Sequence, residues 1–314
     1  MSAAPRSGLH RRAALIAHRT SRLPPTVKGL LWASAAGLVF AILNSLMRTL
    51  TLQLDPFQAQ FLRYFFGLVV LTPLMLRHGL AAYWPKTVRG QLTRGAIHTA
   101  ALFLWFLALP KIPLADTTAI GFTAPIFVML GAHFVFKEAM RWERWVAALL
   151  GFAGVLIVVA PKLQGGGGFY SLAMLGSAPL FAASFLLTKA LTRYETIGVI
   201  LVWQAISVTL FSIPLAMLHW KAPTTMQWLS FLLCGLMGSI GHYCLTRSMR
   251  VADISATQSA KFLDLLWAAL MGWIVFGDIP SRSTLIGGIV ICASTIWIAR
   301  RESRSPSTVP SEAP

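Results

Sequence analysis

The sequence predicts an all-α membrane protein with ten transmembrane helices, arranged as two inverted repeats of five helices each. Hydrophobic residues make up 56% of the 314-residue chain and charged residues only 12%, whereas soluble domains carry about 25% charged residues. A motif also recurs, since Ala-Asp-Thr-Thr-Ala at 115–119 opens one long apolar run and Ala-Asp-Ile-Ser-Ala at 252–256 opens another. With five helices in each half, the second copy is inserted upside down, which is the usual architecture for moving a solute by alternating access.

Ten apolar runs are long enough to cross the hydrocarbon core of a bilayer, which needs about 20 residues per helix. These predicted spans are 28–47, 56–76, 91–109, 114–136, 144–160, 170–190, 197–219, 227–248, 255–276 and 283–299. The short connections between them contain helix-breaking prolines, namely Pro56, Pro110, Pro113, Pro161, Pro223 and Pro280.

The domain organisation follows from these spans. We expect a basic amino-terminal tail at 1–27, a first repeat at 28–161, a linker at 162–169, a second repeat at 170–300 and a disordered tail at 301–314. The linker contains glycines at 165–168, which indicate flexibility rather than a phosphate loop, because no Gly-Lys-Ser or Gly-Lys-Thr follows them.

The distribution of positive charge predicts the orientation. The net charge is +17, but the positive residues cluster between apolar runs, which indicates a membrane protein rather than a nucleic-acid-binding one. With both ends inside, the inner segments carry about four times as many Lys and Arg residues as the outer connections. This bias predicts cytoplasmic termini. The three cysteines fall within apolar runs without metal-binding spacing, so neither a disulfide nor a metal site is expected.

Several sequence strings resemble those of one known family. They are Arg63 in the second span, Pro-Leu-Ala-Asp-Thr-Thr-Ala-Ile at 113–120, Ala-Pro-Ile-Phe at 124–127 in a run ending at Glu138, and Gly-Phe-Ala-Gly-Val-Leu at 151–156. With the inverted five-plus-five repeat, they resemble the drug/metabolite transporter superfamily of the EamA type, over residues 29 to about 300. The resemblance implies a bundle around a central cavity and transport of a small metabolite, by export or by uptake.

Lys261 and Asp264 in the ninth span are the sharpest candidates for a binding site. At a spacing of three they share one helix face, near mid-bilayer, where a charge costs about 2.5–3.5 kcal/mol. One interpretation is a self-neutralised structural pair; the other is that Lys261 binds an anionic group of a substrate, or that Asp264 exchanges a proton or holds a cation. Gln258 and Trp267 on the same helix offer a polar contact and a stacking surface. The family often has a proline shortly after the acidic residue, whereas Leu265 follows here.

Arg63 is the second candidate, because an unpaired guanidinium in lipid is costly and should face the bundle interior. Further polar or aromatic side chains within spans are weaker candidates, since buried polar groups often only bond a neighbouring helix. They are Asn44, Gln60, His98, Trp105, Trp203 and Gln204. A cavity lined by Arg63, Trp105, Gln204, Lys261, Asp264 and Trp267 would suit a zwitterionic or aromatic solute. His98 titrates near neutrality and could serve a proton relay, although interhelical packing is the simpler interpretation. His133 and His242 are placed toward inner helix ends, where ordinary solvation suffices.

Acidic residues at the ends of the repeated runs have structural interpretations. Asp116 and Asp253 open long helices, where a carboxylate caps free amides and complements the helix dipole. Glu138 and Asp278 end these helices on opposite faces of the membrane, and pairing within loops is the default expectation, with a gate as the alternative.

We therefore expect a transporter, not an enzyme, that moves an amino acid, a vitamin or a nucleoside-like cofactor across the inner (plasma) membrane. The predicted partners are this solute and the lipid bilayer, without nucleic acid, cofactor or metal, and a homodimer is left open. The alternative is a membrane-embedded enzyme acting on a lipid or isoprenoid. Such an enzyme should carry a motif such as His-Glu-x-x-His or Gly-x-Ser-x-Gly, and neither occurs in the chain.

Overall fold

The fold is seen in a computed structural model that describes residues 23–121, 123–137, 142–163, 168–252, 257, 263–279 and 281–303. Within these ranges the chain is helical and contains no β-strand. The α-helices are α1 (Pro25–Thr51), α2 (Pro56–His78), α3 (Val88–Ala108), α4 (Leu114–Gly121), α5 (Thr123–Phe136), α6 (Trp142–Leu163), α7 (Gly168–Leu191), α8 (Ile197–Ala216), α9 (Thr225–Val251), α10 (Leu263–Phe276) and α11 (Arg282–Ser303), and a short 3₁₀ helix covers Leu80–Tyr83. The prediction of an all-α membrane protein is confirmed.

Five of the described helices are long and apolar enough to cross a membrane, by length and composition: α1, α2, α7, α8 and α9. Shorter apolar helices cover Ile126–Phe136, Trp145–Gly154 and Leu266–Phe276. The count of ten spans and the inversion of the second half stay predictions. The chain is nevertheless a multi-pass membrane protein, because several of its helices have the length and apolar character that a bilayer core requires.

Local sequence signals set the helix ends. The Asp55 carboxylate accepts hydrogen bonds from the backbone N–H groups of Phe57 and Gln58, and Pro56 occupies the first turn of α2, where its missing N–H costs nothing. At α9, Thr224 and Gln227 form a reciprocal capping box. Each cap satisfies backbone donors that would otherwise be left without a partner at the helix start.

One predicted helix breaker does not end its helix. Pro161 was expected in the connection after the fifth span, but it lies inside α6, which continues to Leu163. Further prolines lie within α2, α7 and α8, at Pro73, Pro179 and Pro214. The prediction for Pro161 is wrong because membrane helices tolerate proline where neighbouring groups satisfy the freed backbone carbonyl.

The two halves of the chain interlock rather than folding side by side. The main packing pairs are α1 with α9, α3 with α7, α2 with α8, α2 with α9, α3 with α8, and α6 with α11. The counterparts in chain order are α1 and α7, α2 and α8, α3 and α9, and α6 and α11. Exchanging each helix for its counterpart leaves this set of packing pairs unchanged. Together, α4 and α5 correspond to α10 in this exchange. Both α4 and α5 pack on α7, and α10 packs on α1, the counterpart of α7.

Glycines allow two equivalent close helix crossings between the halves. A Cβ atom added at Gly235 on α9 would lie 2.5 Å from the carbonyl carbon of Phe66 and 2.6 Å from the backbone nitrogen of Gly67, both on α2. A Cβ atom added at Gly95 on α3 would overlap Ser207 on α8. Small residues let backbones approach in this way in membrane bundles, and the two crossings occupy corresponding positions of the two halves.

Candidate functional site

A cavity of about 150 Å³ lies between helices of both halves. Its walls come from α1, α2, α3, α4, α5, α7, α9 and α10. The described residues that line it are Gly37, Phe40, Ala41, Asn44, Arg63, Tyr64, His98, Leu102, Trp105, Leu114, Gly121, Ala124, Phe181, Phe185, His242, Leu245, Asp264 and Ala268. A cavity with apolar walls and a few convergent polar groups is the usual form of a small-molecule site.

The apolar part of the wall is largely aromatic. Phe181 packs edge-on against Trp105, with 5.7 Å between ring centroids, and stacks on Phe185 at 6.0 Å. On the other side, Phe40 meets the ring of His242 edge-on at 5.0 Å. Such rings offer flat faces and polarised edges to a planar solute.

Arg63 places a buried guanidinium in this wall. The residue is only 6% exposed, and its Cζ atom lies 4.8 Å from the centre of the Tyr64 ring. Among the described residues, its Nε atom has no hydrogen-bond acceptor. Arg63 also borders a second, smaller cavity, which includes Gln204 in its wall. The structure thus places a positive charge with unused donor capacity where the two cavities meet.

Asp264 supplies a carboxylate from the first turn of α10, facing α1. A Cβ atom added at Gly37 would overlap its Oδ1 atom, so the glycine provides the room that the carboxylate occupies. Lys261, the expected partner of Asp264, and Gln258 both lie outside the described residues. Trp267 is not among the described residues that line the cavity, and its indole N–H is buried without an acceptor in the described chain.

The weaker candidates divide between the cavity and helix packing. Asn44, His98 and Trp105 lie in the cavity wall. Gln60 is not brought there, because its amide nitrogen donates to the hydroxyl of Ser212 on α8 at 2.9 Å. It links α2 to α8, away from the cavity.

A chain of polar side chains runs from the cavity wall into the bundle. The Tyr64 hydroxyl lies 3.1 Å from Nε2 of His98 and 3.3 Å from Nε2 of His242. The side-chain nitrogen of Gln204 lies 3.1 Å from the same His98 atom and 3.2 Å from the same His242 atom. The carbonyl oxygen of Gln204 in turn accepts a hydrogen bond from Arg94. Four helices, α2, α3, α8 and α9, are therefore joined by one polar network.

Two members of this network were missed as candidates by the sequence prediction. His242 was expected near a solvated helix end, but α9 continues to Val251, so the histidine lies more than two turns inside and borders the cavity. Arg94 was not among the candidates from the sequence, yet it is only 2% exposed within α3. Its position inside the predicted span 91–109 was the signal that could have identified it, because a charge within a span marks a functional or structural site.

The acidic residues at the helix ends join the two halves. Asp116, in the first turn of α4, accepts a hydrogen bond of 3.2 Å from the hydroxyl of Thr284 at the start of α11. Asp278 forms an ion pair of 2.5 Å with Arg48 at the end of α1, and the Arg48 guanidinium lies over the Phe276 ring. Asp253 and Glu138 lie outside the described residues.

Comparisons with known proteins agree with the resemblance noted in the sequence. The model of the EamA-like transporter family matches residues 27–160 and again residues 168–300. The chain is 33% identical to a riboflavin transporter of Rhizobium johnstonii, over 88% of this chain and 93% of that protein. It is 25% identical to an S-adenosylmethionine uptake transporter of Rickettsia prowazekii, over 90% of this chain and 96% of that protein.

A solved crystal structure of another protein superposes with a TM-score of 0.68, covering 88% of this chain and 98% of that one. At 18% identity this likeness shows the fold alone. The names of the relatives confirm the prediction of a transport role rather than an enzymatic one.

Proposed function

The chain belongs to the EamA-like transporter family, and we propose that it carries a small metabolite with a flat nitrogen heterocycle across the inner membrane by alternating access. The observation that carries this proposal is the cavity between the halves, whose wall combines aromatic rings with the guanidinium of Arg63 and the carboxylate of Asp264. Riboflavin and S-adenosylmethionine, named for two relatives, both contain such a heterocycle, and they are the first solutes to test.

The chemistry of the cavity supports a solute with both acceptor and donor groups. Arg63 carries a guanidinium with five N–H donors and no acceptor. A solute carbonyl, ring nitrogen or carboxylate can therefore accept from it. The Asp264 carboxylate can accept from an amino or amide N–H of the same solute. The rings of Phe181 and Trp105 suit the flat part of the molecule.

Polar contacts near the ends of the bundle support movement of one half against the other. At the start of α2, the Gln58 amide exchanges two hydrogen bonds with the backbone of Lys221, at 2.6 and 3.0 Å. Just before α8, the Glu195 carboxylate accepts from the backbone N–H groups of Lys86 and Thr87, at 2.7 and 3.3 Å. The two contacts occupy corresponding positions of the halves and lie on opposite faces in the proposed topology, so each can open while the other holds.

The proposal is tested by measuring solute uptake into proteoliposomes that contain the purified, reconstituted protein. Labelled riboflavin and S-adenosylmethionine are offered separately, with an unrelated sugar as a negative control. We expect saturable uptake of one heterocycle, and we expect Arg63→Ala to raise its apparent KM by tenfold or more. Arg77→Ala, which removes an exposed arginine at the other end of the same helix, is the matched control and should transport normally. Wild-type flux by folded Arg63→Ala protein contradicts the proposed role of Arg63.

A panel of other solutes extends this test beyond the two named compounds. A ligand that binds the folded protein raises its melting temperature by mass action, so thermal shifts rank candidates before flux is measured. Shifts confined to amino acids or sugars, with none for any heterocycle, contradict the proposed substrate class and leave the family assignment standing.

A further inference from the structure

Arg94 is a full positive charge buried in the bundle outside the cavity wall. Its Nε atom donates to the hydroxyl of Thr188 on α7 at 2.6 Å, and one terminal nitrogen donates to the backbone carbonyl of Ile200 on α8 at 3.4 Å. The other terminal nitrogen donates to the side-chain oxygen of Gln204. The acceptors of these hydrogen bonds are all neutral, so this arginine does not serve to neutralise a carboxylate through them.

The contact with Arg94 decides which way the Gln204 amide points. A guanidinium can only donate hydrogen bonds, so the group that faces it must be the carbonyl oxygen of the amide. The NH₂ group of Gln204 therefore points the other way, toward Nε2 of His98 and Nε2 of His242. An amide orientation is normally ambiguous from positions alone, but here the arginine removes the ambiguity.

The orientation of the amide in turn decides the tautomer of His98. An NH₂ group only donates, so Nε2 of His98 must accept, and the proton of the neutral ring must lie on Nδ1. The geometry agrees, because Nδ1 of His98 lies 3.0 Å from the hydroxyl oxygen of Ser184 on α7. The direction of hydrogen bonding is thus transmitted from Arg94 through Gln204 to His98.

Among the described residues, this arrangement leaves one N–H or O–H hydrogen more than the two Nε2 atoms can accept. His242 adopts the same tautomer in this arrangement, because Gln204 lies nearer to its Nε2, at 3.2 Å, than to its Nδ1, at 3.5 Å. Gln204 then supplies two N–H groups and Tyr64 one O–H group, while Nε2 of each imidazole offers a single lone pair. Tyr64 lines the cavity and Gln204 does not. The Tyr64 hydroxyl is therefore the group that can turn toward a solute, next to the donors of Arg63.

We propose that Arg94 is a positioning residue: through Gln204 it holds His98 in the Nδ1-protonated tautomer and so leaves the Tyr64 hydroxyl as a donor to a hydrogen-bond acceptor of the solute. The role of Tyr64 toward the solute rests on the proposed function, whereas the tautomer of His98 does not depend on it. The preferred solute accordingly presents a carbonyl oxygen or an unprotonated ring nitrogen to Tyr64.

The tautomer is tested by ¹⁵N solid-state NMR of the full chain in proteoliposomes, with ¹⁵N in the histidine side chains, at about pH 8 where ordinary histidines are neutral. The His98 signal is identified by its loss in His98→Asn. The tautomer itself is read in the wild-type protein, where we expect the Nδ1-protonated form. The Nε2-protonated form or the imidazolium in wild-type protein overturns the proposal.

Two variants test whether the arginine and the amide cause this state. Gln204→Glu keeps the shape but replaces the NH₂ group by an acceptor, so we expect the proton of His98 to move to Nε2. Arg94→Met releases the amide and should give a mixture of tautomers, whereas Arg94→Lys keeps a donor and should restore the wild-type signal. An unchanged tautomer in folded Gln204→Glu protein overturns the proposal.

The role of the Tyr64 hydroxyl in solute binding is tested separately, by transport. Tyr64→Phe removes the donor and keeps the ring, and we expect about a tenfold rise in apparent KM for whichever of riboflavin and S-adenosylmethionine is transported, with a smaller change in maximal rate. An unchanged KM overturns the role of Tyr64. Failure to transport either compound counts against the proposed function and leaves the NMR result unaffected.

Discussion

The backbone of Gly37 on α1 lies directly against the carboxylate of Asp264 on α10, with no space for a methyl group between them. One small residue from the first half therefore makes room for an acidic group of the second half at the edge of the cavity. Because Gly37 has no side chain, α10 can pack closely on α1 even though the Asp264 side chain lies between the two helices.

Gly37→Ala should displace the Asp264 carboxylate and impair solute binding. A Cβ atom there overlaps Oδ1, and forced overpacking of this kind costs about 1–3 kcal/mol. We expect apparent KM to rise several-fold and the melting temperature to fall. Gly176→Ala on α7 is the control, since its Cβ atom would meet only Leu104 at an ordinary 3.5 Å. Equal effects of the two substitutions would contradict the assignment.

Gly235→Ala should destabilise the protein more than Gly67→Ala, although the two glycines lie at the same crossing of α2 and α9. The methyl group at 235 meets rigid backbone at 2.5 Å, whereas the nearest atoms to one at 67 are 3.8 Å away. Helices cannot yield as a side chain can, so we expect the loss to be about 2 kcal/mol or more at 235 and near zero at 67. Thermal unfolding in detergent measures the difference, and the reverse order would refute the crossing geometry.

Removing the ion pair between Arg48 and Asp278 should favour opening of the bundle at that end, which is the outer end in the predicted topology. The pair joins α1 to α10 and is partly exposed, so it contributes about 1 kcal/mol or less, equivalent to a severalfold change in population. The readout is labelling of a cysteine at Asn44→Cys by an impermeant maleimide added outside. We expect faster labelling in Asp278→Ala and no change in Arg282→Ala, an exposed residue nearby. Slower labelling in Asp278→Ala runs against this prediction.

Glu195→Ala should destabilise the contact between the connection before α8 and the start of α3. The carboxylate is 5% exposed and accepts two backbone N–H bonds, and buried donors left without a partner cost about 1–3 kcal/mol. Glu195→Gln keeps an oxygen acceptor, so most of the stability should be retained. Melting temperatures of the two variants decide, and a Gln variant as unstable as the Ala variant would show that charge rather than hydrogen bonding matters there.

Much of the fold was predictable because hydrophobic length and the positions of positive charge are local properties of the sequence. The start of α2 at Pro56 agrees with the predicted span 56–76, and the apolar runs marked most helix positions. Pro161 was assigned wrongly, since whether a proline ends a helix depends on the groups packed around it.

The site was less predictable than the fold. A polar residue within a span is a signal that needs no structure, which is why Arg63 and Asp264 were candidates. Gln60 showed the same signal but bonds a neighbouring helix. His242 was missed because a difference of a few residues in the end of α9 changes its surroundings from solvent to cavity wall.

The sequence alone determined that this chain is a multi-pass helical membrane protein of a transporter family, because the bilayer demands long apolar helices and the family motifs are contiguous strings. Only the tertiary structure decided that Arg94 orients Gln204 toward His98, and that Gly37 makes room for Asp264. These relationships join residues far apart in the chain, and hydrogen-bond direction and steric room depend on atoms brought together by packing.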